Sequence, residues 1–207
     1  MDGIFMKKLL KISLIVFLAF CIYQGLGIVR DKHYLQNNLI RMHIVANSDS
    51  AADQKLKLTV RNRVLEYLDE SMGEITDKAA AMEYLTHHLD LIRQIAQQTV
   101  YTQGYDYVVR VSLLTEDFPT RVYDTFSLPA GRYDALRVNI GDGAGKNWWC
   151  VTFPNLCLPA TGETFVDAAA DAGFSNKLTH SLDNNGGYRF RFYLLEQLGK
   201  LEKLVFS

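Results

Sequence analysis

Signatures of chemistry are missing from this sequence, and so is any surplus of charge. The formal net charge is −1, which leaves no basic field to hold nucleic acid or an anionic lipid surface. Cysteine is scarce, with only Cys21, Cys150 and Cys157, and two thiols without a nearby Cys/His pair fall short of a zinc set. No HExxH and no nucleophile elbow occurs. His43, Ser48 and Asp49 hold the atoms of a hydrolytic triad, but strand and loop spacing this tight rarely lets one base reach both partners. His87 and His88 are adjacent in a helical stretch and face different directions. The loop GDGAGKN (141–147) is not a P-loop, since three residues separate Gly141 from Gly145 and Asn147 follows Lys146. It fails GxGxxG as well, because Lys146 occupies the final glycine position. The expectation is therefore a protein without catalytic residues, metal, cofactor or small-molecule substrate.

Long hydrophobic runs are also few. Ile12–Val29 is the one such run, and it follows Lys7, Lys8 and Lys11. A basic stretch before an apolar segment reads as an export signal or a membrane anchor. At about 1.5 Å per residue it is about 27 Å long, close to a hydrocarbon core of about 30 Å. The lysines place its start in the cytoplasm and the rest of the chain outside. Gly25-Leu26-Gly27 offers small residues for a signal peptidase, so cleavage and retention stand as equal alternatives. Residues 1–29 are thus read as signal peptide or anchor, and residues 30–207 as one exported domain.

Within that domain no repeat or low-complexity tract occurs, and the whole chain, with 48% hydrophobic and 22% charged residues, has a globular composition. Ile40, Met42 and Ile44 alternate with Arg41 and His43, which predicts a strand over 40–45. Ser50 with Asp53 resembles a capping box, and Leu56, Val60, Val64 and Leu68 then predict a helix to about Glu70. A second helix is expected from Asp77 to about Gln98. Tyr107–Leu113, Thr120–Ser127, Leu136–Ile140 and Trp148–Phe153 read as strands, with a turn at Leu128-Pro129-Ala130-Gly131 closing a hairpin. The pattern fades from Phe165 to Gly187, with a turn at Asn184–Gly187, and Tyr188–Val205 reads as a strand running into a helix or as one helix. The order predicts an α+β fold, with a mostly antiparallel sheet and two helices after the first strand, behind the N-terminal export or anchor helix.

Three blocks carry a resemblance. RMHIVANSDSAADQKLKLTVRNRV, starting at Arg41, resembles the opening signature of the stage II sporulation protein R family. The matching positions are Arg41, His43, Ala46, Asn47, Ser48, Asp49, Ser50, Asp53, Gln54, Lys57, Val60 and Arg61. Phe118–Gly141 and Asn147–Cys157 are similar to the family's other two blocks, in the right order. Asn155 departs from the pattern, standing where a second proline is expected. The resemblance implies a signalling protein made in the forespore and exported across its inner membrane into the intermembrane space. There it would activate a membrane-embedded aspartic protease of the mother cell, leading to processing of the pro-form of an early mother-cell sigma factor. The alternative reading is an exported hydrolase or a wall-binding module of the same space.

Asn47–Ser50 has a structural reading, in which short polar side chains satisfy free amides at a strand-to-helix junction. It also has a functional one, in which Arg41, His43, Asn47 and Asp49 belong to the face that meets the protease. Trp148 and Trp149 point in opposite directions on a strand, and at least one is a candidate interface anchor. Cys150 and Cys157 either stay reduced in the core or pair. Pairing closes a loop of about eight residues and suits an oxidising compartment.

Overall fold

The computed structural model of the chain describes residues 3–123, 125–157, 165–171 and 173–183. It divides into two compact units, residues 1–35 and 36–207. The first unit is helical: helix α1 runs Gly3–Asn38, and its stretch Leu10–Asn38 is long and apolar enough to cross a membrane by length and composition. Phe17, Leu18, Phe20 and Ile22 are all more than half exposed. A helix apolar on every side has no one face to bury against a core, which is compatible with a signal or an anchor.

The second unit is built on strand β1, Ile40–Val45, every residue of which is buried. Helix α2 (Ala51–Met72) and helix α3 (Lys78–Thr102) follow it. Strand β2 (Val109–Phe118), the short strands β3 (Arg121–Val122) and β4 (Ser127–Leu128), strand β5 (Gly131–Ile140) and strand β6 (Asn147–Phe153) come next. Two short helices, α4 (Phe165–Asp171) and α5 (Asn176–Leu182), close the described part. The main sheet has the order β2-β5-β1-β6. β2 with β5 and β1 with β6 are antiparallel, while β1 and β5 run parallel. The fold is the expected α+β one, and its sheet is mostly antiparallel.

Period-two alternation sorts each strand onto two faces. Ile40, Met42 and Ile44 from β1, Leu136, Val138 and Ile140 from β5, and Cys150 from β6 share one core. The stripe Leu56, Val60, Val64 and Leu68 of α2 meets them there, as do Leu85, Ile92 and Ala96 of α3. Asp77 caps α3 by accepting from Ala80 N at 2.9 Å. Gln97 locks the helix to the sheet: its amide donates to Tyr107 O at 2.8 Å and its oxygen accepts from Val109 N at 2.8 Å.

Two expectations need correction. Thr120–Ser127 is not one strand: Tyr123 N donates to Phe126 O at 2.8 Å, so the chain folds back and leaves two paired residues on each side. Strand β5 also does not form a hairpin with that segment. It pairs with β2 over ten positions and with β1 over six, because those longer strands satisfy far more of its backbone than a two-residue strand does. Where the pattern fades after Phe165, α4 and α5 occur, the latter capped by Ser175 Oγ accepting from Leu178 N at 3.3 Å. The turn expected at Asn184–Gly187 and the segment Tyr188–Val205 lie outside the described residues.

Cys150 and Cys157 are bonded, with Cα atoms 5.6 Å apart. The link ties β6 to the loop that follows it, and Asn155 pins the same loop to α2 by donating to Asp69 Oδ1 at 2.6 Å. Replacing both cysteines by serine should lower the unfolding free energy by about 2–3 kcal/mol, the loop-closure value for this separation. Urea denaturation with and without reductant reads it. An unchanged midpoint would show that the staple does not constrain the chain.

Candidate functional site

The residues singled out in the sequence fall into two clusters. The first is a clasp between the β1–α2 junction and the glycine loop after β5. Gly141 sits at φ +59° and Gly143 at φ +63°, the left-handed region that glycine enters without penalty. A Cβ on Gly141 would overlap the Asn47 amide, and one on Gly145 would overlap the Ser48 carbonyl. The two loops therefore touch backbone to backbone: Ala144 N donates to Asn47 O at 3.2 Å and Gly145 N to Ala46 O at 2.9 Å. Asn47 Oδ1 accepts from Asp142 N at 3.0 Å, and Asp49 Oδ1 accepts from Lys146 N at 2.7 Å.

Asp53 organises the other side of this clasp. Its carboxylate accepts from Ser48 Oγ at 2.5 Å and Asn47 Nδ2 at 3.0 Å. Burial raises its pKa, but the hydrogen bonds from Ser48, Asn47, Tyr107 and Ser50 outweigh that and hold it below the ordinary value. Ser50 caps α2 by accepting from Asp53 N at 3.1 Å. The resemblance to a capping box is thus half kept, because the Asp53 side chain reaches Ser48 and not the Ser50 amide. Gln54 donates to Ser48 O at 2.9 Å, and the buried Lys57 donates to Gln54 Oε1 at 2.7 Å and Lys146 O at 2.8 Å. Asn47 and Asp49 are thereby committed within the molecule.

The second cluster lies on the sheet face opposite α2 and α3. Arg41 and His43 alternate onto it from β1, Tyr133 and Arg137 from β5, Glu116 and Phe118 from β2, and Trp149 from β6. Arg41 is fully buried. Its guanidinium lies 4.4 Å from the Phe118 ring centroid and 5.1 Å from that of Tyr133, and its Nη2 donates to Tyr123 Oη at 2.8 Å. His43 stacks on Trp149 with centroids 4.9 Å apart and planes 6° from parallel. Its Nε2 meets Glu116 Oε1 at 2.9 Å, and Glu116 Oε2 accepts from Arg137 Nη1 at 3.3 Å. The guanidinium of Arg121, on β3, lies over the outer side of this layer at 4.4 Å from the Trp149 ring. Phe126, from the same hairpin, stacks on Phe165 at 4.4 Å.

The structure thus brings Arg41, His43 and Trp149 together and sets Asn47, Asp49 and Trp148 apart from them. Trp148 faces the helical side, half-buried, with the Arg61 guanidinium 5.0 Å from its ring. The two indoles do point to opposite faces, as expected of a strand. Neither stands free in solvent. His43 and Ser48 bond to different carboxylates, Glu116 and Asp53. Sequence reasoning did not single out Glu116, Phe118, Arg121, Tyr123, Tyr133 or Arg137. The available signal was the alternation of Tyr133 and Arg137 against Leu136 and Val138, which marks a second, polar face once β5 is placed beside β1. Among the described residues no group of three or more His, Cys, Asp or Glu could hold a metal ion.

An apolar N-terminal helix precedes an α+β unit that carries a disulfide and an aromatic sheet face around the buried Arg41. The family model for stage II sporulation protein R matches residues 36–162, and the chain belongs to that family. It is similar to the stage II sporulation protein R of Bacillus subtilis (strain 168), with 37% identity over 124 residues, covering 60% of this chain and 55% of that protein. The match therefore spans about half the length of the curated relative. No solved structure matches.

Two predictions follow from the clusters. Gly141→Ala should cost about 1–2 kcal/mol for the left-handed backbone alone, with a further loss from displacing Asn47, read by urea denaturation. A cost near zero would mean that the clasp is loose. His43 titrates below its ordinary 6.5 because burial disfavours the imidazolium, which Glu116 supports and Arg137 and Arg41 oppose. Between that lowered value and 6.5 the unfolded chain binds more protons than the folded one, so acidification through this window removes stability. His43→Gln should flatten this part of the stability-versus-pH curve. An unchanged slope would show that His43 does not titrate with unfolding.

Proposed function

We propose that this chain is an exported signalling protein of sporulation that activates a membrane-embedded aspartic protease of the mother cell, leading to processing of the pro-form of an early mother-cell sigma factor. The observation that carries the reading is membership of the stage II sporulation protein R family over residues 36–162, behind an apolar helix. The Cys150–Cys157 bond supports export, because such bonds persist in oxidising compartments. The route is from the forespore, across its inner membrane and into the intermembrane space, with α1 serving as signal or anchor.

The protein acts as a ligand in this account and not as a catalyst. His43 is stacked and bonded inside the sheet, and the hydroxyl of Ser48 is spent on Asp53. Binding stabilises the active arrangement of the protease through higher affinity for that state than for the inactive one. An aspartic protease with one catalytic carboxylate per chain needs two chains side by side, so the ligand acts by favouring that pairing.

Co-expression of the protease, the pro-sigma substrate and this chain in a heterologous host tests the proposal. Processing should require the chain. Processing that proceeds equally without it, or that fails with all three present and folded, would contradict direct activation.

A further inference from the structure

The outer sheet face carries more positive charge, that of the buried Arg41 included, than its described acids balance. Three guanidinium groups converge there, those of Arg41, Arg121 and Arg137, and the single carboxylate among them is Glu116. Glu116 is spent on both oxygens, one facing His43 at 2.9 Å and the other Arg137 at 3.3 Å. Among the described residues, no acid lies within ion-pair distance of Arg41 or Arg121. Arg41 is fully buried with one hydrogen bond, to the Tyr123 hydroxyl. Its Nε and Nη1, and the Nε of Arg121, are buried N–H donors that meet no acceptor. Contacts with Phe118, Tyr133 and Trp149 offset part of the desolvation, but an aromatic face does not replace a hydrogen bond to an in-plane N–H. Groups of this kind, left unmade in the interior, are costly.

We propose that Arg121, with Arg41 beneath it, is the receptor for a carboxylate of the protein partner, an Asp or Glu side chain that docks at the Arg121–Trp149 rim. The partner's identity rests on the function proposed above, whereas the carboxylate chemistry rests on the cluster itself. Three features favour an acid from outside. The charge of the face is complementary to one. Arg121 and Trp149 are both only partly buried, so the rim touches solvent. The β3–β4 hairpin carries both Arg121 and Tyr123, and through them it borders Trp149 and Arg41. A carboxylate entering there completes charge-assisted hydrogen bonds in a dry setting. Such buried, arginine-centred contacts, shielded by aromatic residues, are where binding energy concentrates in interfaces.

The test uses the full chain, labelled with nitrogen-15, in detergent micelles and without protease. The probe is N-acetyl-glutamate N-methylamide, with the glutamine analogue at equal ionic strength as its neutral counterpart. The Nε–H signals of Arg121 and Arg41 should move saturably with the glutamate probe and stay in place with the glutamine one. Arg121→Gln should weaken the response of Arg41 about tenfold or more, the worth of one charge-assisted hydrogen bond. Arg61→Gln, beside the other tryptophan, should leave the response unchanged. The proposal fails if neither signal moves, if both probes act alike, or if Arg121→Gln responds as the parent does. It also fails if both signals already show carboxylate bonding in the free chain and ignore the probe, since the chain then supplies its own acid. Because the protease is absent, a negative result here leaves the co-expression outcome independent of it.

Discussion

Strand β1 is covered on both sides, and the rest of the molecule follows from that. A six-residue strand between two neighbours, with every residue buried, forces its alternate side chains into two separate interiors. One is ordinary and apolar, where Ile40, Met42 and Ile44 meet the helices. The other receives Arg41 and His43, which a strand exposed on one face would have left in water. Burying a guanidinium costs several kcal/mol unless it is surrounded by suitable partners. The protein supplies part of these as rings from two other strands, Phe118 and Tyr133, and a hydroxyl from a hairpin.

The same strand sets the position of the clasp. Where β1 ends, Asn47, Ser48 and Asp49 turn the chain into α2, and the glycine loop from β5 lies against their backbone. Because β5 runs parallel to β1, both strands finish at the same end of the sheet, and their following loops are neighbours. The densest part of the family signature is thus a joint that holds two crossings of the sheet together. Its polar side chains are consumed by each other. The aromatic face has charge that the described residues leave unbalanced, and the proposed carboxylate contact rests on that difference.

Local pattern read well wherever a residue's fate depends on its own element. The alternation of β1, the stripe of α2, the cap at Ser50 and the strand through Trp148 and Trp149 all stand where periodicity and capping chemistry put them. The pairing of β5 beside β1 was not legible, because parallel neighbours share no turn that could mark them in sequence. Arg41 and His43 could be recognised as alternating with the core but not as buried, since their cover comes from residues 116–149. The short hairpin was missed for a related reason. Arg121–Val122 and Ser127–Leu128 look like one strand, and only Tyr123 bonding back to Phe126 separates them.

The central claim is that the sheet face under the β3–β4 hairpin is the one that meets the partner. Photo-crosslinking from single positions tests it most directly, with the probe at Val122 on the hairpin or at Leu91 on α3. Both are exposed, at 50% and 42%, and they belong to opposite sides of the sheet. The account predicts a covalent product with the protease from Val122 and none from Leu91. A product from Leu91 alone would place the working surface on the helices and contradict it.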